Sequence, residues 1–356
     1  MTVQQKMDAV YEKKLLKFEE KCFRLINQGQ PYLAVILCHE LYRFTYPFEP
    51  YANFTHDNPV LFMNHKIDQL LSLADQFSET VSPYAFKVMD TSIGKQILEK
   101  ETSDLYSGLW KEFDRTTLTE ESVQLLKNRL PESILNFSIK SARVLDMGCG
   151  SGRYTIALAT LGAKEVVGVD FQAKSFAAAK EYCENNNIPV TFREANVLDL
   201  PFDDEYFDFV FCNGVVHHTS SINKGLLEIF RVLKTQKKAF LYIYGTGGIF
   251  WNTRIAMRKI FRRIPLEYTK NTLKMIGMPQ NRFIFIDTWY VPVENHTKEK
   301  ELLAMFDEIG FDYKKVVGQN PFDIDNAIEC NRFSQAIEMW GEGEHRYILT
   351  KKRIVY

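Results

Sequence analysis

The sequence has almost no net charge: 44 lysines and arginines against 45 aspartates and glutamates leave −1 over 356 residues. That balance gives no bulk attraction for nucleic acid or an acidic membrane, so a polyanionic partner would need a local patch. Cysteine is sparse. Cys22, Cys38, Cys149, Cys183, Cys212 and Cys330 are scattered, mostly inside apolar runs, with no Cys-x-x-Cys pair. This excludes a disulfide framework and a thiolate metal site, and it suits buried free thiols in a reducing compartment. No uncharged apolar run reaches the ~20 residues of a membrane span, and Met1 to Lys17 is too polar for a signal peptide. Internal repeats and low-complexity tracts are also missing. A soluble, cytoplasmic globular protein is expected, with 46% hydrophobic and 25% charged residues.

What is present divides the chain. Residues 1–100 carry helical periodicity at Val10 to Ile26, Tyr32 to Tyr42 and Val60 to Phe77, punctuated by Gly29, Pro31, Pro47, Pro50 and Pro59. They form an expected N-terminal helical domain. Residues 101–356 form the second domain, entered through helices at Thr102 to Phe113 and Thr119 to Leu130. From Ala142, short apolar strands alternate with helices: Arg143 to Asp146, Glu165 to Asp170, Val190 to Glu194, Tyr206 to Cys212, Ala239 to Tyr244, Tyr313 to Val317 and Arg346 to Leu349. Such alternation predicts an α/β doubly wound, Rossmann-like sheet of seven mostly parallel strands, covered on both faces and binding ligand at the strand carboxyl ends. Two insertions interrupt it. Residues 246–298 read as a lid-like insertion after strand five; its cationic piece Trp251 to Arg263 is expected to present a solvated basic face. Gln319 to Gly343 follows strand six.

The strongest chemical signal is Val144-Leu-Asp-Met-Gly-Cys-Gly-Ser-Gly152. Three glycines after a buried strand permit a tight turn and close backbone approach to a ligand. A dinucleotide loop favours G-x-G-x-x-G, yet Arg153 stands where its third glycine would fall. Asp146 also precedes the turn directly, and a carboxylate there suits an ammonium and a sulfonium better than a diphosphate. Asp170 ends the second strand, where it can accept hydrogen bonds from both hydroxyls of a ribose.

These residues resemble the class I S-adenosylmethionine-dependent methyltransferases, particularly the small-molecule group related to quinone biosynthesis. The resemblance spans roughly Ser141 to Gly245 and includes Asp199-Leu-Pro-Phe-Asp-Asp-Glu-Tyr-Phe-Asp208, Asn213-Gly-Val-Val-His-His-Thr219 and Ile229-Phe-Arg-Val-Leu-Lys234. It implies S-adenosyl-L-methionine as cofactor. Gly148, Gly150 and Gly152 would face its methionine part and Asp146 would organise the ammonium. Asp170 would hold the ribose, Phe171 and Val197 would flank the adenine, Asn196 would accept from the adenine amino group, and Asn213 would meet the methionine moiety. Asn196 stands where the family commonly has an acid. The Asn/Asp-Pro-Pro-Tyr element of enzymes that methylate adenine or glutamine amino groups is replaced by Asn213-Gly-Val-Val, which disfavours those acceptors.

His218 and His217 are the candidate general bases, with His218 preferred; without a carboxylate in register they do not suggest a metal. Tyr244, Trp289, Tyr290 and Arg115 are candidate acceptor-pocket residues, with Tyr106, Trp110 and His296 as further positions to inspect. The expected function is methyl transfer to an O, N, S or C nucleophile of a small-molecule metabolite. A methyltransferase acting on RNA or protein, a cofactor-binding assembly protein without turnover and a nicotinamide dehydrogenase stand as alternatives, and a homodimer as a candidate assembly.

Overall fold

A computed structural model describes residues 3–45, 59–80, 104–105, 120–277, 282–316 and 336–353. Tyr106, Trp110, Arg115 and Cys330, most of the expected helix 102–113 and most of the second insertion lie outside the described residues. The chain separates into two compact units. One comprises 1–93, 246–291 and 324–343; the other comprises 94–245, 292–323 and 344–356.

The helical unit opens with α1 (Val3–Asn27), α2 (Pro31–Arg43) and α3 (Pro59–Thr80). In the other unit, α4 (Glu120–Arg129) begins with two acids and ends with Lys127 and Arg129, both favourable to the helix dipole. A short helical turn over 132–139 leads into β1 (Arg143–Met147). There follow α5 (Arg153–Thr160), β2 (Glu165–Asp170), α6 (Ala173–Asn185), β3 (Val190–Glu194), β4 (Phe207–Asn213), a 3₁₀ turn (Val216–His218), α7 (Ile222–Val232) and β5 (Leu233–Tyr244). The chain then returns to the helical unit for α8 (Gly248–Phe261), α9 (Leu266–Met275) and α10 (Arg282–Tyr290). It closes with α11 (Glu299–Ile309), β6 (Phe311–Lys315), α12 (Ala336–Trp340) and β7 (Glu344–Lys351).

The seven strands lie in the order β3-β2-β1-β4-β5-β7-β6. Pairings among β1 to β5 are parallel, and β7 runs antiparallel to both β5 and β6. Four of the five β1 residues are buried, as a strand covered on both faces requires. Alternate residues of β4 divide between two cores. Val210 and Cys212 join Leu145, Val167, Ile229 and Phe306 on one face, while Phe209 and Phe211 join Leu126, Val144, Ala157 and Phe240 on the other. The chain leaves β1 toward β2 and β3 and returns on the opposite side as β4. The sheet's switch point, and hence its ligand crevice, therefore lies beyond the carboxyl ends of β1 and β4.

The basic piece of the first insertion differs from expectation. Arg254 and Arg258 are buried, at 5% and 7% exposure. Arg254 Nη1 donates to Thr288 Oγ1 at 3.3 Å, and Arg258 donates to Thr288 O at 3.4 Å and to Val291 O. Thr288 O lies in the last turn of α10 and Val291 O just past its end, where carbonyls lack helical partners, so the Arg258 guanidinium satisfies them. α8 is thus a core helix of its unit, with Lys259 and Arg262 left at the surface.

Candidate functional site

Beyond β1 the backbone turns through Gly148, Gly150 and Gly152, with φ of 77°, 51° and 79°. Side chains resist that left-handed region. At two of these positions space is also lacking: a Cβ on Gly148 would lie 2.4 Å from Val215, and one on Gly152 would lie 2.6 Å from Ala179. Gly152 caps α5, so the helix N-terminus and its free N–H groups face the turn. The amides of Gly148 and Cys149 both donate to Val169 O at 2.8 Å, which ties the turn to the end of β2.

Two carboxylates flank this turn. Asp146 is 2% exposed and accepts a hydrogen bond from Thr155 Oγ1 at 2.6 Å. Burial pushes its carboxyl up to about 7; Asp170 adds to the rise, and the Thr155 bond opposes it. Asp170 Oδ2 accepts from Gly150 N at 2.9 Å, and burial raises this acid too, against several donors. The Cys149 thiol between them is pushed up by burial first, then by both acids. The turn therefore sits in a negative field that favours a cationic ligand and opposes a diphosphate.

The remaining cofactor candidates cluster at neighbouring strand ends. Phe171 is 37% exposed just after β2, whereas Val197 is buried. Ala195 N donates to Asp170 O at 2.9 Å, which brings the segment after β3 beside Asp170. Asn196 Oδ1 accepts from Leu198 N at 2.9 Å, so one of its lone pairs is already engaged. Asn213, at the tip of β4, accepts from Arg129 Nη1 at 3.1 Å.

Arg129 was invisible in the sequence. Its guanidinium lies 5.9 Å from the ring centres of both Tyr154 and Tyr242. Among the described residues no carboxylate stands within ion-pair distance of it; the nearby Glu344 is taken by Tyr242 Oη, which donates at 2.6 Å, and by Arg346. Thr155 was likewise missed, although a hydroxyl in the first turn after the glycines is a readable signal for an acid at the end of β1.

His217 and His218 form the 3₁₀ turn after β4, and both are buried. The His217 ring stacks on Tyr244, with centroids 3.8 Å apart. His218 Nδ1 bonds Val293 O at 2.8 Å. A carbonyl only accepts, so Nδ1 carries the proton in this contact. Trp289 belongs to the core of the helical unit, and Tyr290 is half-buried beside it. Trp289 stacks on Phe261 with centroids at 4.1 Å, and Tyr290 Oη donates to Ile264 O at 2.9 Å. His296 bonds Gly245 O and Glu294, each at 2.9 Å.

Residues 145–241 match the family profile described as a methyltransferase domain. The chain is 28% identical over 200 residues to a ubiquinone biosynthesis O-methyltransferase of Bartonella tribocorum, covering 56% of this chain and 74% of that protein. It is 38% identical over 99 residues to a 2-phytyl-1,4-naphtoquinone methyltransferase of a Nostoc species, covering 27% and 43%. It is also 37% identical over 106 residues to a ribosomal protein L11 methyltransferase of Dictyoglomus thermophilum, covering 30% and 32%. The Rossmann-like unit of this chain is a class I S-adenosylmethionine-dependent methyltransferase domain, with S-adenosylmethionine as its cofactor.

Proposed function

We propose that the chain methylates a small-molecule metabolite, and that the acceptor atom is a hydroxyl oxygen. The bound cofactor supplies an electrophilic methyl carbon on a sulfonium, so the protein's task is to align a nucleophile and exclude water. The paired carboxylates at the glycine turn carry the cofactor reading. Asp170 offers its remaining lone pairs to the ribose hydroxyls, and Asp146 supplies negative charge for the ammonium. Phe171 and Val197 flank the adenine, and Asn196 keeps one lone pair for its amino group. Gly148, Gly150 and Gly152 line the methionine part together with Asn213. Arg129, which among the described residues donates to the neutral Asn213 amide at that tip, is suited to the methionine carboxylate.

The hydroxyl reading rests on His218. A thioether or neutral amine is a nucleophile without help, whereas a hydroxyl needs its proton removed. Because Val293 holds Nδ1–H, Nε2 of His218 is the nitrogen able to take that proton. The two quinone-pathway relatives support a small aromatic acceptor, and Tyr244 at the end of β5 would line its pocket. The ribosomal-protein relative keeps a macromolecular acceptor as an outcome to be tested. Incubating the protein with a cell extract and methyl-labelled cofactor, then separating by size, decides this. Label in metabolites that is lost by ~100-fold or more with His218→Ala supports the proposal. Label in protein or RNA, or unchanged transfer by His218→Ala, refutes it.

A further inference from the structure

Residues 293–297 carry no motif, yet they grip the turn that presents His218. Val293 O accepts from His218 Nδ1 at 2.8 Å. Asn295 donates its backbone N–H to His217 O at 2.8 Å, and its side-chain amide donates to His217 O at 3.2 Å and to Thr219 O at 2.8 Å. One amide nitrogen thus bridges the two carbonyls on either side of His218. The far end of the segment is fixed to the sheet: His296 Nδ1 donates to Gly245 O at 2.9 Å, Thr297 N to Tyr244 O at 3.3 Å, and His345 Nε2 to Thr297 O at 2.9 Å.

A three-residue 3₁₀ turn has little stiffness of its own, so the direction of the His218 ring depends on what holds the turn. We propose that Asn295 is a positioning residue for His218: its amide locks the His217–Thr219 backbone to the 293–297 strap, and this keeps the Val293 carbonyl on Nδ1. Asparagine suits the place because one nitrogen carries two hydrogens, one for each carbonyl. Aspartate would set a carboxylate against two carbonyl oxygens, and serine could serve only one of them. The importance of Asn295 for turnover rests on His218 acting as the base; its hold on the ring does not.

The test is a long-range imidazole ¹H–¹⁵N spectrum of the full chain labelled at histidine, with S-adenosylhomocysteine added, and His218→Ala used to assign the His218 signals. The wild type is expected to show His218 as a single Nδ1–H tautomer. In Asn295→Ala the two His218 nitrogen shifts move toward each other as the tautomers mix; Asn295→Ser shows a smaller displacement and serves if the alanine variant fails to fold. A wild-type His218 protonated on Nε2, or an Asn295→Ala spectrum identical to wild type, overturns the proposal. Separately, a His218→Ala protein with undiminished methyl transfer defeats the base assignment while leaving this spectrum to stand or fall on its own.

Discussion

Replacing Asp146 by asparagine should trade cofactor affinity for stability, in a way that pH reveals. The wild-type carboxyl is held at about 7 in the folded protein against an ordinary value of 3.8. The folded state therefore keeps a proton that the unfolded chain has lost. Stability falls as pH rises from about 4 to about 7, by a ceiling of about 4 kcal/mol, and is flat above. An asparagine carbonyl can still accept from Thr155, but its buried NH₂ group costs about 1–3 kcal/mol where no acceptor faces it. At pH 4 the variant should therefore be less stable than wild type, and at pH 8 more stable by about 1–3 kcal/mol, so the two curves cross. Urea denaturation of the cofactor-free proteins at several pH values measures this. The cofactor should bind more weakly to the variant at pH 8, since its ammonium loses a counter-charge. A stability difference that stays constant from pH 5 to pH 8 would refute the claim that a buried, proton-retaining acid lies at the turn.

Two further outcomes follow from the same geometry. Arg129→Gln should weaken S-adenosylhomocysteine by about 30- to 100-fold, the loss of a charge-assisted hydrogen bond pair, while leaving methylthioadenosine, which lacks the carboxylate, nearly unchanged in calorimetry. Gly152→Ala places a side chain at φ 79° with its Cβ 2.6 Å from Ala179. It should lower stability by about 2–5 kcal/mol, read as an earlier urea midpoint with an unchanged slope.

The strands and the cofactor turn were legible because each is a local pattern. β1 and β2 are unbroken apolar runs, and the glycines with Asp146 and Asp170 declare a strand–turn–helix unit at fixed spacing. Other features depend on long-range contact. β5 begins at Leu233, ahead of the expected Ala239, because Leu233 pairs with Phe207 across a register shift between Phe207 and Phe209. The Leu266–Met275 helix is too polar to announce itself. Arg254 and Arg258 look solvated in a helical projection and are buried because the end of α10 brings the Thr288 hydroxyl to Arg254 and the Thr288 and Val291 carbonyls to Arg258. Arg129 and Asn295 lie 84 residues before and 77 residues after the side chains they serve, Asn213 and His218, with no spacing rule to link them. Local composition cannot report a partner that only folding delivers.

The most direct measurement is a calorimetric titration of S-adenosylmethionine and of a nicotinamide dinucleotide into the purified chain and into Asp170→Ala. The sulfonium nucleoside is expected to bind one per chain, the dinucleotide not at all, and the variant about 100-fold more weakly through loss of two ribose hydrogen bonds to a charged acceptor. Binding of the dinucleotide in preference to the nucleoside, or undiminished affinity in Asp170→Ala, would contradict the account.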